Sequence, residues 1–292
     1  MLKETFFQKK STLNCRGKII NLSSPLVMGI VNIGHDSFFD GGKYQKTYDI
    51  IKRCDVLLTE GADILDIGAV STRPGSMLVK PEKELSRLLP ALETILGNFP
   101  GAIISIDTYN ASVARKAIEM GAHMINDISG GTIDEKMFET IAHLQVPYVL
   151  MHIQGLPENM QQNPVYEEPV KDIIRYFADK VRKLRDFGVH DIIIDPGFGF
   201  GKNLEDNYKI LNQLEYFQMF ELPIMVGFSR KSMINKVLSV PPHNALNGTT
   251  VLNTLALQKG ADILRVHDAR QAKESIRLSQ MLKTVNEKDS MI

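Results

Sequence analysis

Gly61-Ala62-Asp63-Ile64-Leu65-Asp66-Ile67-Gly68 and Gly260-Ala261-Asp262-Ile263-Leu264-Arg265-Val266-His267 are nearly the same phrase written twice, near opposite ends of the chain. Each opens on a glycine that fits the position just past a helix C-terminus, where positive φ costs little. Each continues as an apolar run of strand length and stops on polar groups. Gly121-Ala122 and Gly188-Val189 punctuate the sequence in the same way. Working outward from these points, short apolar runs alternate with amphipathic stretches long enough for helices. The strand candidates are Leu26 to Ile33, Asp63 to Ile67, Ala102 to Asp107, His123 to Ile128, Pro147 to His152, Asp191 to Asp195, Pro223 to Phe228 and Asp262 to His267. Runs such as Ile103-Ile104-Ser105-Ile106-Asp107 are apolar on both faces, which suits a parallel sheet covered on both sides. Eight βα units predict an α/β fold, a (β/α)8 TIM barrel. The repeat spacing is too uneven for a solenoid.

Before the barrel, Asn14 to Leu22, centred on Arg16-Gly17, reads as a short N-terminal hairpin that plugs the barrel's N-terminal mouth. One domain is expected over residues 14–285, with 1–13 and 286–292 as tails. The chain's 292 residues can bury one large core without disulfides or a structural metal. Its 34 Lys+Arg balance 34 Asp+Glu, which argues against a nucleic-acid partner, so any anion site must be local. Two cysteines, Cys15 and Cys54, without zinc-ligand spacing, read as reduced thiols of a cytoplasmic protein. No apolar run approaches the roughly 18 residues of a membrane span.

The chemistry lies where the strands end: Asn32, Asp66, Asp107, Asn126, His152, Asp195, Ser229, and Arg265 with His267. In a parallel barrel all strand exits open on one face, so these groups converge on a pocket. Taken singly, each could be no more than a turn residue or a helix cap. Asp107, Asn126 and Asp195 offer carboxylate and carboxamide edges for a flat, nitrogen-rich heterocycle. Lys231 in Ser229-Arg230-Lys231-Ser232, with Arg265 and His267, forms a cationic subset where such barrels hold phosphate. Asn32 to Gly42 and Gly68 to Ser76 are long, glycine-containing loops suited to closing over a ligand, although Asp36 and Asp40 could be plain turn residues. Pro196 to Gly201, PGFGFG, lacks dinucleotide-loop spacing and reads as a loop packed beside the mouth. His267-Asp268 belongs to no hydrolase triad, since no G-x-S-x-G elbow is present. The 13 methionines read as core filler.

Seven segments in order carry a more specific signal: MGIVNI with DSFFDGG, GADILDIG with STRPGS, ISIDTYN, MINDISGG, IIDPGFGFGK, GFSRKS, and GTTVLNTLALQKGADILRVHD. Over Leu26 to Leu282 the chain resembles the dihydropteroate synthase family. The resemblance implies a pterin-binding barrel, usually a homodimer. Such a transferase joins 6-hydroxymethyl-7,8-dihydropterin diphosphate to p-aminobenzoate, yielding 7,8-dihydropteroate and diphosphate. Position by position it implies a pterin pocket at Asp107, Asn126, Asp195 and Lys231, with Arg265 flanking the ring. It implies a diphosphate site at Asn32, Arg265 and His267, with Asn32 also contacting Mg2+. The p-aminobenzoate pocket falls on Thr72, Arg73, Pro74, Phe200, Ser229 and Lys231. Displacement at the pterin methylene carbon then needs stabilisation of departing diphosphate rather than a strong base, and Asp40 could stabilise a cationic intermediate.

Two loops depart from the family pattern. Asn32-Ile33-Gly34-His35-Asp36 stands where N-V-T-P-D is usual, and Gly68-Ala69-Val70-Ser71-Thr72 where G-G-E-S-T is usual. Losing a proline and gaining a glycine in the first loop raises the entropy cost of closure. A pterin-dependent methyltransferase and a noncatalytic pterin-binding paralogue are the competing readings. The STRPG and SRKS segments favour the synthase.

Overall fold

The computed structural model describes residues 9–33, 43–71 and 74–289. Eight parallel strands make the sheet: β3 (Leu26–Asn32), β4 (Ile64–Gly68), β5 (Ile103–Asp107), β6 (Met124–Asp127), β7 (Tyr148–Met151), β8 (Ile192–Asp195), β9 (Met225–Val226) and β10 (Ile263–Val266). Their order is β8-β7-β6-β5-β4-β3-β10-β9, and a parallel bridge from Ile194 to Ile224 joins the two ends into a barrel. Helices α1 (Lys43–Thr59), α2 (Pro81–Asn98), α3 (Ala111–Met120), α4 (Met137–Leu144), α5 (Pro169–Asp186) and α6 (Leu204–Asn212) follow β3 to β8 in turn. β9 is followed by two helices, the short α7 (Ser232–Leu238) and α8 (Leu246–Gln258), and β10 by α9 (Ala269–Asp289).

The repeated phrase has a physical basis at both of its sites. Gly61 and Gly260 sit at φ +99° and +90°, and the next residue's N–H reaches back to close the helix end, Ala62 to Leu57 and Ala261 to Ala256. The aspartate of each phrase then takes a strand-entry N–H from the neighbouring strand: Asp63 Oδ2 from Val27 at 2.8 Å and Asp262 Oδ2 from Ile224 at 2.7 Å. An Asp at that spot therefore sets strand register as well as turn geometry.

A preceding hairpin, β1 (Thr12–Cys15) and β2 (Lys18–Asn21), turns at Arg16-Gly17, both at positive φ. Its Leu13 and Cys15, fully buried, pack with Met28, Ile64, Met124, Val149, Ile193, Met225 and Ile263. These are the lower inward positions of the strands, so the hairpin does plug the barrel floor. Two residues further up the same faces the side chains turn polar, as the two-residue strand period requires: Ile64 gives way to Asp66, Ile103 to Ser105 and Asp107, Met124 to Asn126, Ile193 to Asp195 and Ile263 to Arg265. Outward-facing residues form the main core against the helices.

Three boundaries differ from expectation. The seventh strand is Met225–Val226 rather than Pro223 to Phe228. Ile224 O accepts both Asp262 and Ile263 N–H, and after Phe228 the chain turns, with Lys231 N–H on Phe228 O and Arg230 at φ 59°. The domain starts before residue 14: β1 begins at Thr12, Lys10 N–H donates to Glu221 O, and the Lys10 ammonium pairs with Asp191 at 2.6 Å. At the other end α9 runs past 285 to Asp289.

Candidate functional site

Arg265 organises the barrel mouth. Its Nε donates to Asp66 Oδ2 at 2.7 Å and its Nη2 to Asp107 Oδ2 at 2.6 Å. Asn126 Nδ2 donates to the same Asp66 oxygen at 3.0 Å. Three strands, β4, β5 and β10, thus meet through one guanidinium, and β6 joins them through Asp66. Burial opposes its charge, but Asp66 and Asp107 raise its pKa above the already high arginine value. The other oxygens, Asp66 Oδ1, Asp107 Oδ1 and Asn126 Oδ1, are buried and have no hydrogen-bond partner among the described residues. Unmade hydrogen bonds of buried acceptors are costly, and a ligand's N–H groups are what these acceptors fit.

Neither Asp107 nor Asp195 caps a helix, which removes the plainer reading of those residues. The N-cap of α3 is Asn110, and α6 starts with a capping box of Asn203 and Asp206. Asp195 Oδ1 instead accepts Gly197 N–H at 2.7 Å. Burial raises the Asp195 pKa, while Lys231, the Gly197 N–H, Arg265 and Lys202 hold it down. Burial pushes Asp107 up to about 7, with Arg265 opposing and Asp66, Glu84 and Asp127 adding to the rise.

Lys231 is no solvated cation. Its ammonium donates to Phe198 O and lies 4.6 Å from the centre of the Phe200 ring, a cation–π contact. Burial pulls its pKa down to about 8 against the attraction of Asp195. Ser229 is tied to His267, accepting its backbone N–H at 3.3 Å and meeting its Nδ1 at 2.9 Å. That joins the loop after β9 to the end of β10. Burial, with Arg230 and Arg265 nearby, holds the His267 imidazole down at about 4. Asn32 closes β3 and is exposed; a side chain on Gly68 would stand 3.6 Å from Asp107 Oδ2 and 3.9 Å from Asn32 Oδ1. Pro74 is exposed in a turn whose Gly75 N–H donates to Pro157 O at 2.9 Å. Asp40, Thr72 and Arg73, with Gly34 and His35, lie outside the described residues.

His152, a strand-exit residue, faces Lys202, 3.0 Å from its Nδ1 to the ammonium. Lys202 was not foreseen as a site residue, nor was Glu84. A signal for Glu84 does exist: it falls with Leu88, Ala91, Leu92 and Ile95 on the buried stripe of α2, where a charge is out of place. Its Oε2 takes the Asn110 amide at 2.5 Å, bracing the segment that follows Asp107. Burial pushes Glu84 up to about 7, with hydrogen bonds from Thr108 and Asn110 opposing. The folded chain therefore holds this proton more tightly than the unfolded chain does, and stability falls as pH rises from about 4.5 through about 7. The contribution is about 3 kcal/mol. Urea unfolding of Glu84→Gln at pH 5 and pH 8 is expected to show a flatter dependence than the wild type; an unchanged slope would contradict it.

A parallel barrel whose mouth gathers buried acids and an amide around a fixed guanidinium defines an enzyme class that binds a nitrogen-rich ring. The model of the family described as pterin binding enzyme matches residues 28–267. The dihydropteroate synthase of Escherichia coli (strain K12) is 40% identical over 268 residues, 91% of this chain and 94% of that one. The structure of Xanthomonas albilineans dihydropteroate synthase with 4-aminobenzoic acid superposes with a TM-score of 0.86 at 35% identity, covering 94% of this chain and 98% of that one. The same organism's enzyme in complex with 7,8-dihydropteroate gives 0.82 at 31%, covering 94% and 99%. The chain belongs to the pterin-binding enzyme family, among its dihydropteroate synthases.

Proposed function

We propose that this chain is a transferase that condenses 6-hydroxymethyl-7,8-dihydropterin diphosphate with p-aminobenzoate, releasing diphosphate and forming 7,8-dihydropteroate in folate biosynthesis. The observation that carries this reading is the pair of buried acceptors without a partner among the described residues, Asp107 Oδ1 and Asn126 Oδ1, beside an Arg265 already locked by two carboxylates. Those oxygens suit the N–H edge of a pterin, and Asp195 adds a third acceptor across the mouth. Burial makes each of these bonds count for more than it would in water. The Phe200 ring and the Lys231 ammonium supply a flat wall for the aromatic amine. The amine nitrogen attacks the methylene carbon, the bond from that carbon to the diphosphate oxygen breaks, and the nitrogen then loses a proton. Arg265 and the neutral His267 N–H stabilise charge on the leaving diphosphate.

Asn32 also suits a place beside Mg2+. It offers an exposed, hard, neutral oxygen at the strand end, and among the described residues no group of three or more His, Cys, Asp or Glu could hold a metal unaided. Mg2+ ordinarily combines one or two protein oxygens with substrate phosphates and water. When bound there it would neutralise leaving-group charge.

A homodimer is supported by the exposed apolar side chains of packed helices α8 and α9, among them Val251, Leu255, Leu278, Met281 and Leu282. A sedimentation mass of one chain would refute it. No helix among the described residues is long and apolar enough to cross a membrane, and the buried free thiols of Cys15 and Cys54 suit a cytoplasmic setting.

Diphosphate release, measured with and without p-aminobenzoate and with Mg2+ chelated, tests the reaction. Release that depends on both the amine and the metal is expected. Methyl transfer from methyltetrahydrofolate to a corrinoid, without diphosphate chemistry, would replace this reading with the methyltransferase.

A further inference from the structure

Lys202 is a buried lysine that the reaction as described does not use. It is 2% exposed, and it is surrounded by acceptors rather than by acids in contact. Its ammonium donates to Gly197 O at 2.9 Å, to Phe200 O at 2.9 Å and to His152 O at 3.3 Å, and meets His152 Nδ1 at 3.0 Å. A charged group is expensive to bury unless its donors are satisfied, and three carbonyls and a ring nitrogen saturate this one. Its partners span the loop after β8, the PGFGFG segment that resembled a nucleotide loop only superficially.

That loop has no regular structure of its own. Gly197, Gly199 and Gly201 all have positive φ. A Cβ on Gly197 or Gly201 would collide with the backbone of His152 or Gln154. The glycines thus let the loop lie directly on the segment after β7, and the Lys202 ammonium joins the two segments from inside. The opposite face of the loop meets the site. Phe198 O accepts from Lys231, and the Phe200 ring lies under the same ammonium. Two lysines therefore grip one loop, Lys202 from within and Lys231 from the mouth. Two further contacts steady it: Gly199 N–H to Asn207 Oδ1 at 2.7 Å and the Tyr166 hydroxyl to Gly201 O at 2.7 Å.

We propose that Lys202 is a positioning residue for the amine half of the site: by fixing the Gly197 and Phe200 carbonyls against His152, it sets the Phe200 ring and the Phe198 carbonyl where Lys231 needs them. This rests on the reading of Phe200 and Lys231 as the amine wall. Of the pterin contacts, Asp107, Asn126 and Arg265 stand on other strands and do not pass through the loop; Asp195 alone touches it, through the Gly197 N–H. The effect of Lys202 therefore falls mainly on the amine.

The test uses the full-length chain with Lys202→Met, Lys202→Gln and Tyr166→Phe. Initial rates are measured over both substrates, pterin diphosphate binding without amine is followed by calorimetry, and thermal melts check folding. Lys202→Met is expected to raise KM for p-aminobenzoate about tenfold, because a small misplacement of a positioning wall is costly. Pterin diphosphate affinity is expected to change at most about threefold. Lys202→Gln, which keeps two N–H donors, is expected to recover part of the loss, and Tyr166→Phe to give a smaller amine-selective rise. An unchanged amine KM in folded Lys202→Met, equal losses on both substrates, or no recovery with Gln would overturn the proposal. If Lys202→Met does not fold, Tyr166→Phe decides: an amine-selective rise supports the role of the loop and an unchanged KM sinks it. A wild type that does not join the two substrates refutes the proposed reaction itself, which is a separate outcome.

Discussion

Arg265→Met is expected to abolish useful turnover, lowering kcat/KM for pterin diphosphate about a thousandfold, because it removes both the charge stabiliser at the leaving group in the proposed reaction and the organiser of the pocket. It is also expected to cost about 3–5 kcal/mol of stability, since breaking a buried pair leaves its partners uncompensated. The geometry leaves two carboxylates behind. Asp66 is fully buried and Asp107 nearly so, and both direct Oδ2 at the guanidinium. Asp107 is already pushed up to about 7 with the arginine present, so without it the carboxyl takes a proton near neutrality and ceases to be a pure acceptor for the ring. Arg265→Lys keeps a charge but cannot fork to two carboxylates, and is expected to fall between Met and wild type. The double variant Arg265→Met/Asp107→Asn separates the two losses. It should regain stability in urea unfolding, having one buried charge fewer, while its kcat/KM stays low. Recovery of activity alongside stability would show that Arg265 acts only through folding.

The pocket was legible because strand periodicity writes it into the sequence. Ile64 and Asp66, Met124 and Asn126, Ile193 and Asp195, Ile263 and Arg265 are each two residues apart on one face. An apolar residue at the barrel floor followed by a polar one at the mouth is therefore visible as a strand that ends in a functional group. What was not legible depends on the third dimension. Nothing in the spacing of PGFGFGK says that three left-handed glycines fold the loop back over the lysine that follows them. Glu84 shares a helix with residues that pack into the core, but that its partner is Asn110 is decided by how α2 meets α3. His267 follows the same rule. Histidine type and position are readable in the sequence, whereas the burial and neighbouring guanidiniums that hold its pKa down are not.

Asp195→Asn is the sharper test of how the site divides its labour, since it alters charge and hydrogen-bonding sense while leaving shape and fold. The Asn oxygen can still accept the Gly197 N–H that Asp195 Oδ1 now takes at 2.7 Å, so the loop should remain seated and stability should change little. The pterin loses an acceptor and meets an N–H donor in its place. A site built to accept a ligand's N–H discriminates strongly against such a mismatch, and kcat/KM is expected to fall about a thousandfold. A second consequence comes from the cations. Burial lowers Lys202 to about 7 and Lys231 to about 8, and for both lysines Asp195 is the largest influence holding the pKa up. With that charge gone both values fall further, so each ammonium loses its proton at lower pH than in the wild type. The alkaline limb of the kcat/KM profile is therefore expected to move toward lower pH in Asp195→Asn. Steady-state rates from pH 6 to pH 10 measure this directly, since that range spans the lowered lysine values of about 7 and about 8. A variant that loses activity with its alkaline limb unmoved would mean that Asp195 contacts substrate without governing the lysines, and the electrostatic link between ring pocket and amine wall would have to be abandoned.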